Sequence, residues 1–319
     1  MLTLVAAPQN LTEAIRYFAD ADRAFTFMVQ MRWPDGVYCP RCACTEATLI
    51  RTRRLWKCKG CKKQFSVKVG TIFEDSPLGL DRWLPALYLL ANCKNGISSY
   101  ELHRSLGVTQ KTAWFMLHRI RLAMQSKTFE RFNGDVEIDE TFIGGVAKFM
   151  HKSRKRRTIT GTGGMNKTAV VGALKRGPNG KSRIAASVVP NTRKHHLEGH
   201  IAKHVELGSN VYTDQSWSYR RLNGPYVHQV INHAIEYARG AVHTNGLENF
   251  WSLFKRTVKG TYTSIDPFHV HAYVDEQAFR FNEREGNDGD RFMNVLRGII
   301  GKRLTYDGLI GADLDPATT

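Results

Sequence analysis

The stretch DVEIDETFIGG, residues 135–145, sets Val136 and Ile138 on one side of an extended chain and Asp139 on the other, because successive strand side chains leave opposite faces. After it come KTAVVGALKRG (167–177), a turn at GPNG (177–180) and RIAASVVP (183–190), which together predict three neighbouring antiparallel strands. Further on, RKHHLEGHIAKHVE (193–206) predicts a helix, VYTD (211–214) a short strand, YVHQVI (226–231) another strand and HTNGLENFWSLFKR (243–256) a late helix. Strands and helices in this arrangement predict a mixed α/β fold, one sheet with helices packed against it. Between the first two strands, HKSRKRRTITGTGGMNK (151–167) is basic and then rich in Gly and Thr. It predicts a mobile loop that meets phosphate through Arg154, Lys155 and Arg156.

With 319 residues the chain is long enough for two or three packed units. Its 46 basic residues against 29 acidic ones leave a net charge of +17, which speaks of partners rather than of fold. Polyanions, nucleic acid above all, are the matching partners, since each phosphate neutralised by Lys or Arg releases counterions. The N-terminus has no basic segment followed by a long apolar core, and no later apolar run nears the ~20 residues that span a bilayer. A cytoplasmic protein without a membrane partner is expected. Thiols there stay reduced, so clustered cysteines point to metal rather than to disulfides.

Five of the six cysteines lie between positions 39 and 61, and Cys39, Cys42, Cys58 and Cys61 form C-x2-C-x15-C-x2-C. Two such knuckles bring four soft ligands into a tetrahedron, the pattern of a structural zinc site. Cys44 competes with Cys42 on paper but breaks the knuckle spacing, and Cys93 in LPALYLLANC reads as a buried thiol. Around the site, RTRRLWKCKGCKK carries seven basic residues and no acid. Interleaved with Trp56, this ribbon presents Arg53, Arg54, Lys57 and Lys62 to nucleic acid.

The next segment changes character. LDRWLPALYLLANC predicts an apolar helix, and SSYELHRSLGVTQKTAWFMLHRIRLAM a pair of helices, with Ser98 or Ser99 capping the first, Gly107 turning the chain and Thr109 capping the second. In that second helix Ala113, Leu117, Ile120 and Met124 bury one face, which leaves Gln110, Lys111, Arg119 and Arg121 for solvent or DNA. Two helices joined by a short Gly-containing turn suggest a helix-turn-helix unit, an ordinary helical hairpin being the alternative. The division predicted is 1–76 for an N-terminal helix and ribbon (ribbon about 37–66), 77–130 for the helical DNA-binding region, 131–286 for the mixed-sheet domain, and 287–319 for a tail without a legible pattern.

Three acids stand out. Asp139 points away from Val136 and Ile138, and Asp214 closes VYTD at the carboxyl end of its strand, where open sheets carry their ligands. On a wheel of about 100° per residue, Leu247, Phe250, Trp251, Phe254 and Val258 form one apolar stripe. Lys255 falls about 20° from Glu248, and Asn245 about 60°, so these three address a common ligand.

The cysteine pairs, DETFIGG, VYTDQSWSY and HTNGLENFWSLFKR together resemble bacterial insertion-sequence transposases that join a zinc ribbon to an RNase H-like DDE domain, over residues 20–285. The resemblance implies that Asp139, Asp214 and Glu248 are the catalytic acids, with Lys255 beside them. Some members carry Asn at the third position, which keeps Asn245 as an alternative to Glu248. It also implies two Mg2+ ions on the acids, with Mn2+ as a substitute, and Lys255 and Arg256 on the phosphodiester. The implied activity is cleavage at the 3′ ends of an element followed by strand transfer into target DNA, by a homodimer or larger assembly in the bacterial cytoplasm. A zinc-ribbon regulator without catalysis, or a nuclease for branched or hybrid nucleic acid, are the competing functions.

Overall fold

In the computed structural model the described residues are 7–125, 130–145, 150–159, 166–178, 181–214, 219, 222, 224–231 and 243–312. The chain divides into two compact units, residues 1–125 with 285–319, and residues 126–284.

The first unit opens with α1 (Leu11–Phe18) and α2 (Ala21–Arg32), whose first turns are capped by the side chains of Asn10 and Asp20. A three-stranded antiparallel ribbon follows, β1 (Ala47–Ile50), β2 (Leu55–Cys58) and β3 (Gln64–Phe65). Such a ribbon is too small to hold a core of its own, and it borrows one from α2. Trp56 stacks on Phe25 and on Phe65 with ring centroids at 5.4 and 5.8 Å, and Trp33 meets it edge-on at 5.3 Å. Trp56 is therefore buried rather than presented to nucleic acid: a large aromatic surface has more to gain from these rings than from water.

The predicted pair of helices is present, after α3 (Leu80–Asn92), as α4 (Ser99–Leu106) and α5 (Gln110–Met124). Ser98 closes a capping box with Glu101, Gly107 ends α4 in the left-handed conformation at φ 65°, and the Thr109 side chain accepts from Thr112 N–H. Arg119 and Arg121, expected at the surface, are instead 4% and 1% exposed. Arg119 is held by carbonyl oxygens, its Nε donating to Leu304 and its Nη1 to Ile72 and Glu74. The second half of α5 is thus buried on nearly every side. Only its N-terminal end stays accessible, where Lys111 lies over the ring of Tyr306 and Gln110 donates to Ser99. Cys93, at the C-terminal end of α3, is half-buried.

The second unit holds β4 (Asp135–Ile143), α6 (Lys152–Thr158), β5 (Thr168–Lys175), β6 (Arg183–Val189), α7 (Lys194–His204), β7 (Asn210–Asp214), β8 (Val227–Ile231), α8 (Asn245–Thr257) and α9 (Val270–Asn282), with a π turn at Val258–Tyr262 after α8. Its five strands run in the order β6-β5-β4-β7-β8. The first three are antiparallel neighbours, as read from the sequence, while β7 and β8 continue parallel to β4. This is an RNase H-like sheet. Val136 and Ile138 pack with Leu197 and Ile201 of α7 on one face, whereas Val170 and Leu174 pack with Leu247, Phe250, Trp251 and Phe254 of α8 on the other. Gly172 lets α8 come this close, since a Cβ there would stand 2.8 Å from Leu247 and 2.9 Å from Trp251. The basic segment expected to be a loop contains the helix α6.

Where the sequence showed no pattern after 287, the chain forms α10 (Asp288–Arg297) and α11 (Tyr306–Ile310) and completes the first unit. Phe292 of α10 closes an aromatic core with Phe18, Phe27 and Tyr88 at centroid distances of 5.7, 6.1 and 5.5 Å.

Candidate active site and zinc centre

The two candidate centres are built by opposite means. In the ribbon, each CxxC forms a tight knuckle, with Cys39 N–H donating to Cys44 O at 2.8 Å and Cys58 N–H to Lys63 O at 3.0 Å. Ala43 and Lys62, each following a knuckle's second cysteine, take the left-handed conformation at φ 57° and 61° that such turning requires. The Sγ atoms of Cys39, Cys42, Cys58 and Cys61 all lie within 4.8 Å of one another, with pairs at 3.8 and 3.6 Å. A tetrahedron with Zn–S bonds of about 2.3 Å has edges of about 3.8 Å, so the set fits zinc. The backbone N–H of Cys44 draws the pKa of Cys42 down to about 6, toward the thiolate that a metal needs. Cys44 itself lies outside this group, its Sγ turned toward the carbonyl of Glu46 at 3.7 Å. Arg53, Arg54, Lys57 and Lys62 are exposed on the ribbon, Arg54 in an ion pair with Asp22 at 2.6 Å.

In the second unit the acids come from separate elements. The parallel register pairs Glu137 with Tyr212. Two residues further along each strand stand Asp139 and Asp214, on the same face of adjacent strands by the period of two. Asp139 Oδ2 accepts from Trp251 Nε1 of α8 at 3.0 Å. Because Asp139 pairs with Gly172 on β5, the indole lies over a residue without a side chain as it reaches the acid. Burial pushes the Asp139 carboxyl up to about 7, and the neighbouring charges of Glu140 and Asp214 add to the rise. Burial raises Glu140 as well, with the Tyr219 hydroxyl, which donates to its Oε2, working the other way.

A cleft of about 770 Å³ opens over these groups, lined by Asp139, Glu140, Thr141, Glu248, Trp251, Ser252, Lys255, Arg256, Lys259 and Gly260. The cleft therefore brings Asp139, Glu140 and Glu248 together with the basic end of α8 and its π turn. Of the predicted residues, Asp139, Glu248, Lys255 and Arg256 meet here. Asp214 is close enough to Asp139 to shift its pKa but is not on the cleft wall, and neither is Asn245, whose Oδ1 is buried. Lys155 and Arg156 are exposed on α6, while the side chain of Arg154 lies outside the described residues. Glu140, Trp251 and Lys259 escaped the sequence reading. Trp251 falls within the apolar stripe of the helical wheel, and Lys259 lies in the π turn beyond the end of α8.

Among the described residues, the cysteines alone form a group of three or more ligands with all donor atoms within 4.8 Å. The acids are spread more widely.

An RNase H-like sheet with Asp139 within its central strand and Asp214 at the end of the next, in a chain that also carries a four-cysteine ribbon, defines the class of DDE-type transposases. A family model described as the ISXO2-like transposase domain matches residues 131–282, and one described as the transposase zinc-ribbon domain matches residues 19–64. The chain is 34% identical over 106 residues to a transposase-like protein of Haemophilus influenzae, covering 85% of that relative and 33% of this chain. It is 29% identical over 254 residues to a protein in the transposable element ISH50 of Halobacterium salinarum, covering 84% of that relative and 76% of this chain. The chain belongs to the ISXO2-like transposases. No helix among the described residues is long and apolar enough to cross a membrane.

Proposed function

We propose that this transposase binds the ends of an insertion sequence, cleaves them at their 3′ ends with Mg2+, and joins those ends to target DNA. The observation that carries the reading is the parallel register of β4 and β7, which sets Asp139 beside Asp214 while Glu248 of α8 stands on the same cleft. Asp139, Asp214 and Glu248 would hold two Mg2+ ions, or Mn2+ in their place. When bound, these ions supply Lewis-acid activation of the attacking oxygen and neutralise charge on the departing one.

The chain's own groups do the rest. Carboxylates alone would repel DNA, and Lys255, Arg256 and Lys259 in the same cleft counter this by holding phosphate oxygens whose charge grows in the transition state. Trp251 fixes the orientation of Asp139 through the bond from its indole N–H to Oδ2. Water and then the freed 3′-OH attack phosphorus in the same site, and no covalent protein intermediate is needed. Exposed basic residues of the ribbon, with Gln110 and Lys111 at the accessible end of α5 and Lys155 and Arg156 on α6, supply DNA contacts, and paired ends call for a homodimer or larger assembly.

The test is a strand-transfer assay with a labelled element end and a target duplex. The wild type is expected to join the 3′ end to the target only with Mg2+ or Mn2+, and Asp139→Ala to bind the end without cutting or joining it. Cleavage surviving in Asp139→Ala would remove the assigned site, and hydrolysis without joining would make the protein a nuclease.

A further inference from the structure

The helix that carries Glu248 starts without a cap of its own. Thr244, at its N-cap, makes no side-chain bond to the first-turn N–H groups; its hydroxyl is turned toward Glu248 Oε1 at 3.5 Å. The sheet provides an acceptor instead. Leu247 N–H donates to Glu137 Oε2 at 3.0 Å, and Glu137, two residues before Asp139 on the same face of β4, is 1% exposed. Its Oε1 accepts from Arg176 Nε at 2.8 Å. Arg176 reaches onward to the residue before the N-cap, its Nη2 donating to the carbonyl of His243 at 2.6 Å and lying 3.0 Å from His243 Nδ1. The same guanidinium lies 4.4 Å over the ring of Tyr212, the residue opposite Glu137 on β7.

Gly246 fits this arrangement. Helices ordinarily disfavour glycine, yet a Cβ at this position would stand 2.9 Å from Glu137 Oε2 and 3.1 Å from Leu174. The glycine lets the first turn of α8 lie directly on the carboxylate. Stability does not explain why an ion pair is kept here, because a buried pair is often matched or surpassed by apolar side chains of similar volume. Directional bonds to a backbone N–H and a backbone carbonyl are what an apolar pair cannot make.

We infer that Glu137 and Arg176 are positioning residues that clamp the first turn of α8 to β4, and so set where Glu248 stands relative to Asp139. The inference rests on the reading of Asp139 and Glu248 as metal ligands. The carboxylate grips the helix, the guanidinium grips the residue before its N-cap, and Glu248 follows one residue after the gripped N–H. Displacing the first turn displaces Glu248 with it.

The experiment is Mn2+ titration calorimetry on the zinc-loaded full chain, with thermal unfolding and strand transfer measured in parallel below the unfolding midpoint of every variant. The double variant Glu137→Met/Arg176→Met is expected to stay folded, since it buries no unpaired charge. Its Mn2+ affinity and strand transfer should fall about 10- to 100-fold, the usual cost of losing a group that orients a metal ligand. Binding of the element end should hold. Glu137→Gln/Arg176→Met, which keeps an acceptor for Leu247 N–H, should recover most of the Mn2+ affinity, a rescue that a purely structural role does not predict. Unchanged Mn2+ affinity in the Met pair overturns the inference. Should that pair fail to fold, Gly246→Ala takes its place, with both charged groups retained and the turn pushed outward; unchanged affinity there also overturns it. Failure of the underlying reading looks different, with wild type and Asp139→Asn binding Mn2+ alike.

Discussion

The ribbon gathers thiols and the sheet gathers carboxylates, and the two groups differ in how much of the convergence is local. Cys39 and Cys42, like Cys58 and Cys61, are brought together by turns of a few residues, and only the pairing of the two knuckles is long-range. The acids have no such help. Asp139 and Asp214 are separated in sequence by α6, β5, β6 and α7, and Glu248 depends on where α8 lands. Burial raises the Asp139 carboxyl to about 7, and the charges of Glu140 and Asp214 add to the rise, so enclosing several carboxylates together is unfavourable. The four thiols accordingly have their sulfurs within 4.8 Å of one another, a closeness that no set of three acids among the described residues matches.

This contrast can be broken most severely at Asp214, the acid that is not on the cleft wall. Asp214→Asn should lower strand transfer by about 10³-fold or more, the scale of several kcal/mol of charge stabilisation, with end binding retained in a gel-shift assay. Near-normal strand transfer would leave Glu140 as the better partner for Asp139. On the zinc side, Cys58→Ser should take zinc from one equivalent to none and weaken end binding by about 10-fold or more, because metal binding and ribbon folding are one equilibrium. Metal analysis with far-UV circular dichroism checks this, and loss of the whole sheet signal would count against independence of the two units.

A smaller effect is expected at Gly172→Ala. The added methyl group overlaps Leu247 and Trp251, and overpacking of this kind costs about 1–3 kcal/mol. The thermal midpoint should drop, and Mn2+ affinity should drop with it, since the indole is displaced from Asp139. A lowered midpoint with unchanged affinity would separate packing from the site.

The mildest test concerns pH. His200 is held down to about 3 by burial, with His204 and Lys203 adding to it, and His204 is held down to about 4 by burial and by Lys203. Both lie below the ordinary value near 6.5, so the unfolded chain takes up protons that the native chain refuses. Stability is full above about pH 6.5 and is lost progressively as pH falls toward 4 and then 3. Between pH 7 and pH 5 the loss should be about 1–2 kcal/mol per such group, read as a lower urea midpoint. His200→Leu should flatten the slope; an unchanged slope would place the acid sensitivity elsewhere.

Legibility in the sequence followed the same contrast. The four cysteines could be read because their spacing is itself the geometry, and β4, β5 and β6 could be read because alternation and turn residues are local. Trp56, Arg119 and Arg121 were misplaced for one reason. Whether an aromatic or a long cation faces water depends on what packs over it, and the partners are Phe25, Phe65 and the carbonyls of Ile72, Glu74 and Leu304. The C-terminal helices were missed because Phe292 makes sense only beside Phe18, Phe27 and Tyr88, some two hundred residues or more away in the chain.

By itself the sequence determined the zinc ligands, the strand that carries Asp139, the capped helices α4 and α5, and the polar face shared by Glu248 and Lys255, each a matter of period, spacing or turn chemistry within a few residues. Tertiary structure alone decided that β7 lies parallel beside β4, that Gly172 admits Trp251 to Asp139, and that Glu137 and Arg176 hold the start of α8. The physical reason is that these are contacts between surfaces, fixed by shape and by which buried charges find partners, and no local pattern encodes the distance across a sheet.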